Sequence, residues 1–182
     1  GGAGTTVDLG ADTLTTGGNN ASTTYSGVIT GAGGLTKNGA GTFSLNGGNT
    51  YTGPTTINNG RLNVNGSVTS AVTATSGSTL GGTGTVLSAT INNGATVDPG
   101  TALTPISTLT VDGNGAPAFT QLAGSTYEVD INDGGTTAGI NNDLIDLTAA
   151  ASTASLDGTV AVFDTTGGLG NNYAAGSTYT IL

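Results

Sequence analysis

The sequence predicts an all-β solenoid, in which short parallel strands wind into stacked coils, and three observations support this prediction. Glycine accounts for 34 of the 182 residues, a density typical of a backbone that turns every few residues. Thr, Val and Leu alternate with polar residues in stretches such as STLTVD at 107–112, which is typical of half-buried strands. Short segments also recur along the chain, and each is too small to bury a core without its neighbours.

The recurrent segments predict the length of a coil. TINNG at 56–60 returns at 90–94, GAGTF at 39–43 is echoed by GTGTV at 82–86, and AGSTY at 123–127 returns at 175–179. Because the spacings differ, the repeat is not rigid, and we expect coils of roughly 17 to 26 residues with variable turns. About 20 residues per coil would give eight or nine coils.

Successive coils should place aliphatic side chains in inward columns and Thr, Ser and Asn outward, because side chains alternate between the two faces of a strand. The residues expected to point inward include Ile57, Leu62, Val64, Val86 and Ile91.

Two Asn pairs, Asn58-Asn59 and Asn92-Asn93, are each followed by glycine. One interpretation is a turn, because Asn tolerates the left-handed region and its side chain bonds to nearby backbone. The other is an asparagine ladder, in which stacked amides bond between coils. The first interpretation is favoured.

The character of the chain changes near residues 100–120, where Pro99, Pro105 and Pro117 punctuate the sequence and longer, more acidic strands follow. We predict two sections, residues 1–110 and residues 111–182. Because some 70 residues would hardly stabilise a second domain alone, we expect one continuous superhelix with a more sandwich-like final section.

Charge and composition exclude several functions. Eleven acids oppose only two strong bases, for a net charge of −9, so neither nucleic acid nor an anionic membrane surface is an expected partner. The chain has no Cys or His, which excludes disulfides and catalysis by a histidine base or a cysteine nucleophile. No signal peptide and no run of 18 apolar residues is recognisable, and we expect a segment of a longer protein.

Lys37 is the only lysine. Its neighbours look like a turn, so we interpret it as an exposed residue that aids solubility. The segment GAGGLTK is not a phosphate-binding loop, because it lacks glycine immediately before the lysine.

Carboxylates are the remaining chemical resource. In YEVDIND, Glu128, Asp130 and Asn132 share one face of a strand, where they could hold calcium or act as an acid/base pair. The favoured interpretation is a solvated face, because no calcium-loop spacing occurs. The opposite face would carry Tyr127, Val129 and Ile131.

Asp143 and Asp146 flank Leu144 and Ile145, and we interpret them as strand-edge charges that discourage end-to-end pairing. The tyrosines are expected to stack on or cap the coils; they are Tyr25, Tyr51, Tyr127, Tyr173 and Tyr179. We therefore predict no catalytic residue, no cofactor site and no metal site.

One block carries a family resemblance. GGLTKNGAGTFSLNGGNTYTGPTTINNGRLNVNG, from Gly33 to Gly66, resembles the passenger-associated repeat of bacterial autotransporters in its Gly-Leu-x-Lys start, Asn-Thr-Tyr-Thr-Gly centre and closing Asn-Gly-x-Leu strand. Later segments, among them GATVDPG at 94–100, AGSTYEVDI at 123–131 and AGSTYTIL at 175–182, resemble the end of such passengers. Together the resemblance covers about residues 25–182.

The resemblance implies a right-handed parallel β-helix that continues covalently into a C-terminal outer-membrane β-barrel and is exposed on the surface of a Gram-negative cell. It also implies adhesion or virulence, with a host or cell-surface ligand, and a late, autochaperone-like section that aids folding after export. The predicted function is therefore a non-enzymatic stem of an autotransporter passenger. The alternatives are a polysaccharide-degrading enzyme on the same scaffold and a self-associating rod that aggregates cells.

Overall fold

The computed structural model describes residues 1–101, 106–113, 117–131 and 143–164. These residues form β-strands and no helix. Among them there is accordingly no helix that is long and apolar enough to cross a membrane. In chain order the strands are β1 Thr6–Asp8, β2 Leu14–Thr16, β3 Thr23–Tyr25, β4 Val28–Thr30, β5 Leu35–Lys37, β6 Thr42–Leu45, β7 Gly48–Asn49, β8 Thr55–Ile57, β9 Gly60–Val64, β10 Ser67–Ala74, β11 Ser78–Gly82, β12 Thr85–Ile91, β13 Thr96–Pro99, β14 Thr108–Val111, β15 Phe119–Gln121, β16 Thr126–Ile131, β17 Leu144–Leu147, β18 Ala154–Leu156 and β19 Thr159–Asp164.

The strands line three faces of a prism. The first face has β1, β4, β7, the starts of β10 and β12, β14 and β17. The second has β2, β5, β8, the ends of β10 and β12, β15 and β18. The third has β3, β6, β9, β11, β13, β16 and β19. Every pairing between these strands is parallel. The structure thus confirms the predicted all-β fold as a parallel β-helix.

One strand position on each face makes a coil, and the described residues contain seven coils, from β1–β3 to β17–β19. Register partners in successive coils lie 17 to 22 residues apart through coil 5, as predicted. The distance grows to 25–30 residues for coil 6 and 33–36 for coil 7. The predicted length of roughly 17 to 26 residues is therefore wrong for coil 7 and for most of coil 6, because their connections between strands are longer.

The coil register explains one recurrent segment and not another. Thr56 pairs with Thr73, and Thr73 pairs with Thr90, so the two TINNG segments occupy the same place two coils apart. The GAGTF echo is different, since Phe43 lies on the third face and Val86 on the first. The second AGSTY segment lies outside the described residues.

Aliphatic columns fill the interior, as predicted. On the third face Leu62 pairs with Leu80, and Leu80 with Val97, and all three are fully buried. The five residues predicted to point inward are also fully buried. Each column gains contacts from the coil above and the coil below, so the core is continuous although each coil is small.

A left-handed glycine marks the corner between the second and third faces in each of the first six coils. At this corner the chain must leave one strand and turn sharply into the next, and glycine adopts positive φ without a Cβ clash. The residues are Gly17, Gly39, Gly60, Gly77, Gly94 and Gly124, with φ between 66° and 84°.

Both interpretations of the asparagine pairs find support at Asn58. It lies in the turn between β8 and β9, and its side-chain amide also donates to Asn38 Oδ1 in the preceding coil (2.9 Å). Asn92 lies two coils further on and does not stack on Asn58, because Thr75 occupies the equivalent place in the coil between them. The Thr75 hydroxyl donates to the Ile57 carbonyl (3.0 Å).

The final section keeps the geometry of the helix. The strands β14 to β19 extend the same three faces in parallel register, as expected for one continuous superhelix. Among the described residues of this section, the expected sandwich-like change is not seen.

Candidate functional site

Four carboxylates from three coils gather on the third face near its corner with the first. The strand β13 carries Asp98, β16 carries Glu128 and Asp130, and Asp143 lies directly before β17. One carboxylate oxygen each from Asp98, Asp130 and Asp143 lie within 4.8 Å of one another. We call these four residues the acidic cluster.

Asp143 is the buried member of the cluster, with 3% of its surface exposed. Its Oδ1 accepts a hydrogen bond from the Ser107 amide (2.8 Å) and its Oδ2 accepts one from the Asp130 amide (2.9 Å). Burial raises the pKa of Asp143 to about 7, against the smaller lowering effect of these two amides. The predicted role of Asp143 as an exposed edge charge is therefore wrong, whereas Asp146 is exposed on β17.

Glu128 and Asp130 are half-buried and lie on the outer face of β16. Burial raises the pKa of both carboxyls, neighbouring Asp98 raises it further, and Arg61 lowers it. Tyr127 and Val129 point to the core, as the interpretation of a two-sided strand predicted. Asn132 lies outside the described residues.

Arg61 reaches the cluster from coil 3. Its guanidinium forms an ion pair with Asp98 and donates to the carbonyls of Asp98 (2.9 Å) and Gly100 (2.8 Å) in coil 5. The side chain passes over Gly81 of coil 4, where an added Cβ would collide with the guanidinium. Glycine at position 81 therefore leaves the space that the arginine needs.

The cluster could bind a cation or carry a shared proton, since the carboxyls lie close together in a partly buried place. Two of its carboxylates are nevertheless engaged, that of Asp98 by Arg61 and that of Asp143 by two backbone amides. Sequence reasoning missed that Asp98, Asp130 and Asp143 meet, because they lie 13 to 45 residues apart and no local motif connects them.

The predicted exposure of Lys37 is wrong. It is the last residue of β5 and is fully buried rather than exposed in a turn. Its ammonium donates to the carbonyls of Asn38 (2.8 Å), Gly39 (2.7 Å) and Asn59 (3.1 Å). Burial lowers the pKa of Lys37, and three carbonyl partners use all three of its N–H groups.

Two tyrosines have buried rings, in agreement with their predicted packing role. Tyr51 is fully buried, and its hydroxyl bonds to Thr55 Oγ1 (2.6 Å), which in turn bonds to Ser70 Oγ (2.8 Å). Burial raises the pKa of Tyr51 and of Tyr127. Tyr25 is half-buried in β3, and Tyr173 and Tyr179 lie outside the described residues.

A pocket of about 180 Å³ is lined by residues of coils 1 and 2. Its lining is apolar or hydroxyl-bearing and contains no charged side chain. It includes Val7, Leu14, Tyr25, Ile29 and Phe43. The pocket therefore offers no acid/base pair.

The three-faced parallel helix, with a core made of repeated columns, defines a structural solenoid. A family model described as the passenger-associated-transport-repeat matches residues 35–64, which extend from β5 to β9 and include Lys37 and Arg61. The chain thus carries the repeat of autotransporter passengers, a structural repeat that implies secretion to the cell surface. No curated protein matches the chain.

Proposed function

We propose that this chain is a non-enzymatic stem segment of a surface-exposed autotransporter passenger, from an adhesin or virulence factor, which supports display outside the outer membrane. The observation that carries the proposal is the passenger repeat built into a continuous stack of coils. In this proposal residues 1–110 form the repeat coils, and residues 111–182 form the section that aids folding after export. Anchoring through an outer-membrane barrel is part of the proposal.

The surface of the middle coils supports a spacing role. Residues 13–97 contain no acidic residue, and their two bases are Lys37 and Arg61. Lys37 is buried and Arg61 is paired with Asp98. A surface without free charge offers little to steer a charged ligand, which favours a spacer over a receptor-binding site in these coils.

The acidic cluster also favours a non-enzymatic segment. A polysaccharide hydrolase needs one carboxyl that protonates the leaving group and one free carboxylate, held apart by the sugar. Here Asp98 is bound by Arg61, and Asp143 is bound by two backbone amides. Arg61 would have to be released before the Asp98 carboxylate could act on a substrate.

A whole-coil deletion tests the proposal. In the full-length protein, removal of residues 48–66 takes out one coil, because Gly48 and Ser67 are register partners. A stem should remain on the surface of intact cells, as judged by proteinase K cleavage of an epitope inserted after Gly18. The matched control removes residues 48–57, which takes out only part of the coil and should abolish display. Equal loss of display in both variants, or an epitope protected in intact parent cells, would contradict the proposal.

A second candidate, the self-associating rod, has one specific observation in its favour. The outward positions of the second face form a column of threonines through six successive coils. The column consists of Thr15, Thr36, Thr56, Thr73, Thr90 and Thr120. A chain with a net charge of −9 repels its copies least through a face without charge, so a second copy is the occupant that we propose for this column.

Sedimentation velocity tests this candidate. The variant Thr56→Asp/Thr73→Asp places two charges in the column and should shift any dimer to monomer. The control Thr79→Asp lies on the third face and should leave the dimer unchanged. A parent chain that stays monomeric at all concentrations, or equal effects of the two variants, excludes association through the column.

A further inference from the structure

The chain contains only two strong bases, and the fold uses both of them to join coils. Lys37 and Arg61 are the only lysine and arginine in the 182 residues. Each has a backbone carbonyl partner in a later coil. Because these two side chains are also the only recognition points for proteases of trypsin specificity, their engagement decides whether such proteases can act on the folded chain.

Lys37 joins coil 2 to coil 3. Two of its acceptors, the carbonyls of Asn38 and Gly39, belong to its own turn, and the third, that of Asn59, belongs to the turn of the next coil. The carbonyl of Lys37 itself, at the bond a protease would cleave, accepts a hydrogen bond from the Asn58 amide (2.9 Å). Neither the side chain nor the scissile bond is accessible while the two coils are in contact.

Arg61 joins coil 3 to coil 5. Its guanidinium crosses coil 4 above Gly81 and binds the carboxylate and carbonyl of Asp98 and the carbonyl of Gly100. Its Nε also donates to Asn63 Oδ1 (2.6 Å). The peptide bond after Arg61 lies inside β9, which pairs with β6 and β11 on either side, so cleavage there requires the sheet to open.

We propose that Lys37 and Arg61 are inter-coil clamps, and that their engagement makes folded coils 2 to 5 resistant to proteases of trypsin specificity. Such a protease binds an extended segment and takes the basic side chain into an acidic pocket. Both requirements demand that a clamp is released and its coils separate. This inference goes beyond the proposed function, because it holds wherever the chain is located.

Digestion of the folded chain by trypsin tests the proposal, with mass spectrometry to measure cleavage after Lys37 and after Arg61 separately. The native chain should be cleaved at least about a hundredfold more slowly than the chain in urea, at both positions. Asp98→Ala removes a charged partner of Arg61 and should accelerate cleavage after Arg61 about tenfold or more, with cleavage after Lys37 unchanged. Its matched control is Asp146→Ala, which removes an exposed acid.

The Lys37 clamp is tested by a variant of its own. Gly39→Ala places a Cβ against the Gly17 carbonyl at a position with φ of 69°, so it should distort the turn and accelerate cleavage after Lys37. Gly18→Ala is the control, because an added Cβ there meets no atom within 4 Å. Cleavage rates equal to those of the controls would overturn the clamp concerned. The comparison of native and urea-unfolded parent chain needs no variant, and equal rates there would overturn the whole proposal.

Discussion

The stability of the final coils should fall as the pH rises from 5 to 8, and Asp143 should be the main cause. Its pKa is about 7 in the folded chain and 3.8 in the reference state. Between these values the folded chain holds a proton that the unfolded chain has lost, so stability decreases as pH rises through this range and levels off above it. For a folded-state pKa of about 7, the loss of stability between pH 5 and pH 7 amounts to about 2 kcal/mol.

Asp143→Asn removes this titration, and the dependence of stability on pH should become much flatter. Asn keeps one acceptor for the amides of Ser107 and Asp130 but leaves the other amide without one, so the variant should be less stable than the parent at pH 5. The difference should shrink or reverse by pH 8, where the parent carries a buried charge.

Urea unfolding at pH 5, 6, 7 and 8, followed by circular dichroism, measures this difference. Asp146→Asn is the matched control, because Asp146 is exposed on β17 and its substitution should leave the slope unchanged. A parent chain whose stability stays constant or rises over this range would refute the reasoning. So would an Asp143→Asn variant with the same slope as the parent.

Three further substitutions test the interior, two by the same urea titration at pH 7 and one by hydrogen exchange. Leu80→Ala empties a fully buried position in the third-face column and should cost about 2–5 kcal/mol; a loss below 1 kcal/mol would contradict the packing. Tyr51→Phe removes the first of three hydroxyl groups that are joined by buried hydrogen bonds and end at Ser70. It should cost about 1–3 kcal/mol, and an unchanged free energy of unfolding would contradict the importance of this hydrogen bond. Asn49→Ala removes bonds to Ile29, Gly47 and Ser67; hydrogen exchange at the Ile29 amide should accelerate more than at the Val97 amide, and equal rates would exclude this role.

The features that recur along the chain were predictable from the sequence. Ile57, Leu62 and Val86 are assigned to the interior because inward positions repeat in every coil. The distance between the two TINNG segments equals the length of two successive coils. Periodicity carries this information because every coil meets the same neighbours. It gave no warning of the longer coils 6 and 7, since added residues between strands leave the strand pattern unchanged.

The contacts that occur once were not predictable. The burial of Lys37 depends on a carbonyl 22 residues away at Asn59, and lysine is elsewhere an exposed residue. Asp143 meets Asp98 because β17 lies beside β14 in the stack, although paired residues of these two strands are 36 positions apart in the sequence. A local sequence pattern predicts a strand, but it does not predict which residue of a later coil will contact that strand.

The left-handed glycine at one corner of each of the first six coils has a genetic consequence. Because each coil returns to the same corner with the same backbone conformation, a duplication or loss of DNA that begins and ends at equivalent corners inserts or removes a complete layer and preserves all columns. Unequal recombination between repeat copies would therefore change the length of this rod in steps of one layer, whereas a crossover out of phase would place glycine within a strand and a side chain at the corner.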